Sequence, residues 1–564
     1  MKRLFVLALA AVAASAQGAA TTSASTTNAT VGRLLDQIVA REHAFIEGMK
    51  GRAPMIETYI QETSATAGSD SRPDKDHYFL GRFRLGDAIA YEKLMERTDP
   101  APKTASRLSV LHAARTQPLT FLPRGFAQMT VMDLREFNRA TYSFDYVRRE
   151  FLGEVRCLVF DVAPLNRHEV GRFTGRMWIE DRDNSVVRFD GIYIQAPAAK
   201  GVVAERYFHF DSWRVNVAPG QWVPAEIYIE EEAPAVQGVS GNPQAPGGTP
   251  HFKAQARIWD YNTTASNKLD ELTSILVDSQ SQVKDPAAAQ DTSPLESQRS
   301  WERQAEENVI ARLEKGGLLA PEGPVDEVLN TVVNNLIVSA GLNVNARCRV
   351  LLTTPIETFA VGHTIIISRG LIDVLPDETS LALALAAELS HVALGHPTPT
   401  QFAFNNQTML SDAELLLRFR FARSDLELTE AAKKTIEIMR ASPYQKTANA
   451  GLFLKALASR GPALPSLLAA NLGNQVANAD ALKRLAEFAA SAPALDEDKI
   501  EQIAALPLGS RVKLNPWSNR IELVKARPLA LLSAREKMPF EVTPFALHLT
   551  RVDQVAATSE AGQP

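Results

Sequence analysis

The chain has little cysteine: two residues, Cys157 and Cys348, in 564. Two thiols in separate stretches exclude a disulfide scaffold and read as small buried side chains. It also lacks an excess of either charge, with 60 Lys and Arg against 65 Asp and Glu and a net of −5. A chain with no basic surplus is not built to neutralise phosphate backbones, so nucleic acid is not an expected partner. Beyond the N-terminus no stretch reaches the roughly 18 apolar residues of a membrane-crossing helix. No repeat of fixed period is visible. What remains is ordinary globular composition, 45% hydrophobic and 22% charged. At roughly 150 residues per domain the length suggests about three or four cores.

The first residues carry a separate signal. Met1-Lys2-Arg3 is basic, Leu4 to Ala14 is a continuous apolar run, and Ala14-Ser15-Ala16 is a small-x-small cleavage site. This is the pattern of a secretory signal peptide over 1–16, too short to span a bilayer comfortably. The expectation is a protein exported to the periplasm or beyond, soluble after cleavage, with peripheral membrane contact left open. A lead-in rich in Ala, Ser and Thr follows over 17–32.

Hydrophobic periodicity then divides the chain. Apolar residues from Val31 to Thr63 recur at helical spacing, which predicts helices broken near Gly51 and Pro54. From about Tyr78 to Asn262 the period changes to two. Phe173, Gly175, Met177 and Ile179 alternate with Arg172, Thr174, Arg176 and Glu180, and Trp213, Val215 and Val217 alternate with Arg214 and Asn216. Such alternation with short polar turns predicts antiparallel strands. The Gly- and Pro-rich stretch 233–250 reads as a long hairpin loop. A polar linker over 266–300 leads into a mostly helical second half, where Arg511–Leu514 and Arg520–Val524 flank a turn. The expected fold class is multidomain α+β: an antiparallel half-barrel with a helix over 33–265, a mostly helical domain over 301–445, and a helical segment with a small β-hairpin over 446–564.

One stretch looks like chemistry. Glu357 to Val361 leads through Gly362-His363 into the apolar strand Ile365–Ile367. Ser368-Arg369-Gly370-Leu371-Ile372 and the acidic pair Asp377-Glu378 follow, then an apolar helix with Glu388 and His391 in its middle. Over about 301–444 this resembles the HtpX-like, BepA-like and CAAX-prenyl-protease-like zinc metallopeptidases. Phe359-Ala360, Ser368–Ile372, Asp377-Glu378 and Leu383–His391 keep the family's frame. The resemblance implies a gluzincin-like fold in which two histidines at i and i+4 share one zinc, and a glutamate beside the first activates zinc-bound water. It makes Glu388 the general base and His391 the second histidine ligand.

The chain departs from that pattern at two ligands. Ala387 stands where the first histidine belongs. Counting back from Met439 and Ala441–Tyr444 puts Leu428 at the glutamate ligand, with Glu427 and Glu430 as carboxylates that a slip of register would restore. A catalytic zinc needs about three protein ligands, and His363 and His396 are poorly placed to substitute. The expectation is therefore a pseudopeptidase with no cofactor, Glu388 and His391 being polar remnants in a core helix, and Arg369 a partner for Glu388 or for Asp377-Glu378. It would bind an envelope protein or an extended peptide along the Ile365–Ile367 edge. An active zinc metalloendopeptidase with atypical ligands is the alternative.

The β-stretch resembles, over about 180 residues and carried by Gly171–Ile194, the LolA-like periplasmic lipoprotein carriers. That resemblance implies a concave face for acyl chains, on which Phe173, Trp178, Phe189 and Trp213 are the candidate lining residues. A carrier of lipid or another apolar ligand is accordingly the third reading.

Overall fold

The structure, a computed structural model, describes residues 31–63, 73–98, 121–194, 208–231, 251–263, 294–398, 403, 418–446, 449–476, 479–496, 508–525, 540–544 and 547–552. The expected signal peptide, the lead-in up to residue 30 and the 233–250 loop lie outside them.

Helix α1 covers residues 31–49. Ten strands then build one sheet: β1 (Met55–Thr63), β2 (Pro73–Arg84), β3 (Ala90–Thr98), β4 (Tyr142–Leu152), β5 (Val155–Pro164), β6 (Phe173–Glu180), β7 (Val186–Tyr193), β8 (Phe210–Ala218), β9 (Gln221–Glu231) and β10 (His251–Trp259). Their order in space is β3-β2-β1-β10-β9-β8-β7-β6-β5-β4. After β3 the chain crosses to the opposite edge, passing through α2 (Pro123–Gln128), and returns strand by strand until β10 pairs with β1. All the pairings are antiparallel. Residues of α1 and α2 share one core with the sheet: Leu35, Ile38, Ile46 and Phe126 pack with Phe173, Phe189 and Phe210. The α+β class and the large antiparallel sheet with its helix are as the periodicity predicts.

The expected helix over 55–63 is instead β1, a strand buried on both faces. Ile56 and Ile60 enter the β-half core, while Met55 and Tyr59 enter the core of the second half. Glu57 and Gln61 share the second face and hydrogen-bond across it. Burial on both sides erases the polar phase from which a strand is recognised.

The second half comprises α3 (Pro294–Lys315), α4 (Pro324–Ser339), β11 (Arg347–Leu351), β12 (Glu357–Val361), β13 (Thr364–Ser368), α5 (Arg369–Val374), α6 (Glu378–Ala393), α7 (Asp425–Ala441), α8 (Asn449–Arg460) and β14 (Asn474–Gln475). The 266–300 linker thus ends in helix by Pro294. The small sheet runs β11-β13-β12-β14. The Ile365–Ile367 strand is therefore interior, paired with β11 on one side and β12 on the other, and offers no edge to an added peptide. The expected hairpin is present as β15 (Val512–Leu514) and β16 (Ile521–Leu523). Phe453, Leu457, Ile521 and Phe540 lie in the same core as α6.

The two halves are fastened by buried carboxylates that accept backbone N–H groups. Asp76 on β2 accepts from Ser466 N at 2.8 Å and Leu467 N at 2.7 Å. Glu57 on β1 accepts from Thr354 N at 2.7 Å and from the Tyr78 hydroxyl at 2.8 Å. Burial raises the pKa of both, against the pull of these hydrogen bonds. The chain finally returns to the β-half. Leu549 is buried there, Glu154 N donates to its carbonyl at 2.9 Å, and the Arg551 guanidinium pairs with buried Glu180.

Candidate functional site

Helix α6 starts where Asp377 caps it, the carboxylate accepting from Ser380 N at 2.8 Å. Its residues Leu383, Ala384, Ala387, Glu388 and His391 fall at i, i+1, i+4, i+5 and i+8, one stripe of a 3.6-residue helix. They line one chamber of about 90 Å³. Helix α7 faces them with Leu428, Ala431, Ala432 and Thr435, spaced the same way, and α8 adds Phe453 and Leu454. Thr358 of β12 and Asn474 of β14 complete the wall beside Glu388. The two positions at which the metallopeptidase pattern is broken, Ala387 and Leu428, therefore meet in space, with Glu388 and His391 beside them.

Glu388 is 2% exposed. Its Oε1 accepts from Thr358 Oγ1 at 2.7 Å and Asn474 Nδ2 at 3.2 Å. Its Oε2 is buried without a hydrogen-bond partner among the described residues. Burial holds this carboxyl above the usual carboxylate range, more strongly than its two neutral donors lower it. Arg369, read as a possible partner of Glu388 or of Asp377-Glu378, lies instead near Asp373, 3.8 Å away, on the side facing the β-half. Arg257 of β10 holds Asp373 at 2.6 Å.

His391 is engaged by a residue that helical geometry alone places off its face. The helix stops at Ala393, and Gly395 takes φ +69, a left-handed turn that glycine adopts readily. His396 N then donates to His391 O at 3.1 Å, and the two Nδ1 atoms stand 2.8 Å apart, so one ring donates to the other. Desolvation, followed by the Arg423 and His396 charges, pushes His391 down to about 3, leaving it neutral. His363, by contrast, sits exposed in the β12–β13 turn.

Neither carboxylate near position 428 replaces the missing ligand. Glu427 closes a capping box at the start of α7, accepting from Ser424 N at 2.9 Å and Ser424 Oγ at 2.7 Å. Those hydrogen bonds hold its pKa below the usual range. The Glu430 side chain is 52% exposed and lies 3.4 Å from His396 Nε2. Among the described residues no three or more His, Cys, Asp or Glu side chains are grouped to hold a metal. A methyl at 387 and an isobutyl at 428 supply no donor, so the residues present do not fit a zinc ion.

The four β-half candidates do not share a face. Phe173 and Phe189 are fully buried in the core, ring to ring at 5.6 Å. Trp178 and Trp213 lie on the opposite side, because strand neighbours of opposite parity point to opposite faces. Trp178 pairs with Arg188 and Arg188 with Trp213 across β6, β7 and β8. The Arg188 guanidinium sits 4.3 Å from one indole ring and 4.4 Å from the other. Both cysteines are free and buried, and burial pushes each thiol up to about 12.

Sequence reasoning missed Asn474 and the His396 contact. Nothing near Asn474 signals its role, which arises from β14 pairing onto β12. The glycine at 395 was the available signal for His396.

No known family model matches the chain, and no curated protein matches it. Solved structures with a weak resemblance to the N-terminal β-half include a LolA superfamily protein, NE2245, from Nitrosomonas europaea. It is 12% identical with a TM-score of 0.21, over 42% of this chain and 96% of that one. A DUF1329 family protein from Desulfovibrio piger is 9% identical with a TM-score of 0.21, over 43% and 98%. A chain of the Pseudomonas aeruginosa MucA/MucB complex is 10% identical with a TM-score of 0.13, over 39% and 93%. No helix among the described residues is long and apolar enough to cross a membrane.

Proposed function

We propose that the protein is an exported, non-catalytic binding protein of the cell envelope, whose helical half keeps a metallopeptidase-like frame and uses it for recognition. The observation that carries this reading is that Ala387 and Leu428 wall the same chamber as Glu388 and His391. Where a peptidase would present ligands for a metal, this chamber presents hydrocarbon, and without the metal Glu388 has no activated water to deprotonate.

Metal analysis tests it. The purified chain is expected to hold no stoichiometric zinc, and Ala387→His with Leu428→Glu is expected to gain it. One tightly held zinc in the unmodified chain, with proteolysis of a test protein abolished by Glu388→Gln, overturns the reading.

A second reading, a carrier of lipid or another amphipathic ligand through the β-half, is favoured by a separate cavity of about 320 Å³ between α1 and the strands, in whose wall Phe45, Met49, Val186 and Trp222 stand beside the charged Arg41, Glu42, Arg52 and Arg214. Lipid co-purifying with the chain, detected by mass spectrometry and reduced by Val186→Trp, is its expected sign. A lipid-free protein that takes up no phospholipid from vesicles rejects it.

A further inference from the structure

The cavity between α1 and the strands carries an uneven charge. Arg41, Ala44, Phe45, Gly48 and Met49 fall at i, i+3, i+4, i+7 and i+8, one stripe of α1, and Arg52 follows just past the helix end. Arg214 also reaches the wall, but Glu42 neutralises it, accepting from its two Nη atoms at 2.7 and 2.6 Å. Arg52 is held differently. Its Nη1 donates to Tyr261 O at 2.8 Å, and its guanidinium lies 4.3 Å from the Trp517 ring. Both contacts orient the group and neither cancels its charge. No carboxylate pairs with Arg52 among the described residues, and its Nε and Nη2 donate to none of them and are not buried. At the other end of the stripe, Arg41 Nε donates to Asp183 O at 3.0 Å, and the Asp183 carboxylate stands beside Gly220 of the wall.

We infer that this cavity binds a single-chain amphiphile with an anionic head, the head on the Arg52 guanidinium and the chain along the Ala44, Phe45 and Gly48 stripe of α1. A guanidinium presents paired N–H groups that match the oxygens of a carboxylate or a phosphate. One already stacked and hydrogen-bonded loses little freedom when it binds. The head goes to Arg52 and not to Arg41 because Asp183 places a negative charge near the Arg41 end. A chain accompanies the head because the stripe is open to it: Ala44 and Gly48 are exposed, Phe45 is half-buried, and a Cβ added at Gly48 would meet nothing within 4 Å. At about 320 Å³ the cavity stands at the small end of ligand sites, roughly 300–1,000 Å³, which suits one chain and not two. A fatty carboxylate and a single-chain phosphate ester share this chemistry. This inference rests on the carrier reading and adds the charge and the chain number of its ligand.

The test titrates the full chain with dodecanoate and, separately, with dodecyl phosphate, both below their micelle concentrations, followed by calorimetry and by NMR of labelled arginine side chains. Monolaurin, which has the chain without the charge, dodecyltrimethylammonium, which has the opposite charge, and acetate and inorganic phosphate, which have no chain, are the controls. Saturable binding of at least one anionic amphiphile, at least about tenfold tighter than every control, is expected. The tighter of the two names the head as carboxylate or phosphate. Arg52→Gln is expected to weaken that binding by at least about tenfold and to leave monolaurin unchanged. Should this variant fail to fold, the NMR shift of the Arg52 guanidinium on titration of the parent chain serves the same purpose. Gly48→Leu projects into open space and improves helix propensity. It is expected to weaken binding of the anionic amphiphile by at least about tenfold without lowering the unfolding midpoint. Equal binding of dodecanoate, dodecyl phosphate and monolaurin, binding indifferent to Arg52→Gln, or inorganic phosphate bound as tightly as dodecyl phosphate overturns the inference. The two failures are distinguishable. If monolaurin binds as well as the anions, the carrier reading stands and only the anionic head falls, whereas if no amphiphile binds, both fall.

Discussion

Two buried glutamates, one in each half, show opposite solutions to the same problem. In the β-half, Glu42 of α1 faces Arg214 of β8 in a two-point contact, 2.7 and 2.6 Å, with Glu42 1% and Arg214 1% exposed. The guanidinium also lies 4.2 Å from the Phe45 ring. In the helical half, Glu388 is equally buried but has only neutral donors and one idle oxygen. The first carboxylate is locked as a charged pair that pins a helix to a sheet. The second keeps one oxygen without a hydrogen-bond partner among the described residues. The contrast separates a carboxylate held by a full opposite charge from one held by neutral donors alone.

The largest expected effect breaks the first arrangement. Glu42→Leu strands the Arg214 charge and is expected to lower stability by about 3–5 kcal/mol in urea unfolding. Adding Arg214→Met is expected to recover most of it, because removing both charges also removes the desolvation cost. Asp76→Ala unfastens the halves by leaving Ser466 N and Leu467 N unpaired, at a cost of about 1–3 kcal/mol. A separate early transition of the β-half, seen by tryptophan fluorescence, is its expected signature.

Asp326 gives a pH-dependent case in between. Its carboxylate accepts from Gly323 N at 2.8 Å at the start of α4, and burial lifts its pKa to about 6. A carboxyl raised on folding contributes stability fully below its unfolded pKa, about 3.9, and loses it as pH rises through about 6. Asp326→Asn is therefore expected to gain on the parent protein by about 1–3 kcal/mol between about pH 4 and 6, with a constant difference above. Smallest of all, Glu388→Gln is expected to change stability by less than about 1 kcal/mol at pH 7, since a neutral amide still accepts from Thr358 and Asn474. A loss there as large as at Glu42 would show that Glu388 is structural and would erase the comparison.

The sequence made parts of this legible for physical reasons. Strands β6 to β8 are read because apolar and polar residue types alternate along them, although in burial only β7 keeps the alternation, from Val187 to Tyr193, and α6 is read as a helix from its local apolar run. Strand β1 was hidden by burial on both faces. Trp178 and Trp213 were grouped with Phe173 and Phe189 by aromatic character, although strand parity already places Trp178 opposite Phe173. The interior position of β13 depends on β11 pairing from one side and β12 from the other, which no local pattern reveals. That Ala387 and Leu428 wall one chamber is visible in no local pattern, because about 40 residues separate them and α7 must dock in one particular rotation.

The return of residues 547–552 to the β-half has a consequence for where the chain can be divided. Gly153 lies so close to the Leu549 backbone that a Cβ there would collide with it, and Val552 N donates to Asn216 at 2.7 Å. The β-half is thus completed by a segment far downstream of its last strand in sequence. A fragment cut after β10 leaves buried Glu180 without the Arg551 guanidinium, so the β-half cannot be excised as one continuous piece with its contacts intact.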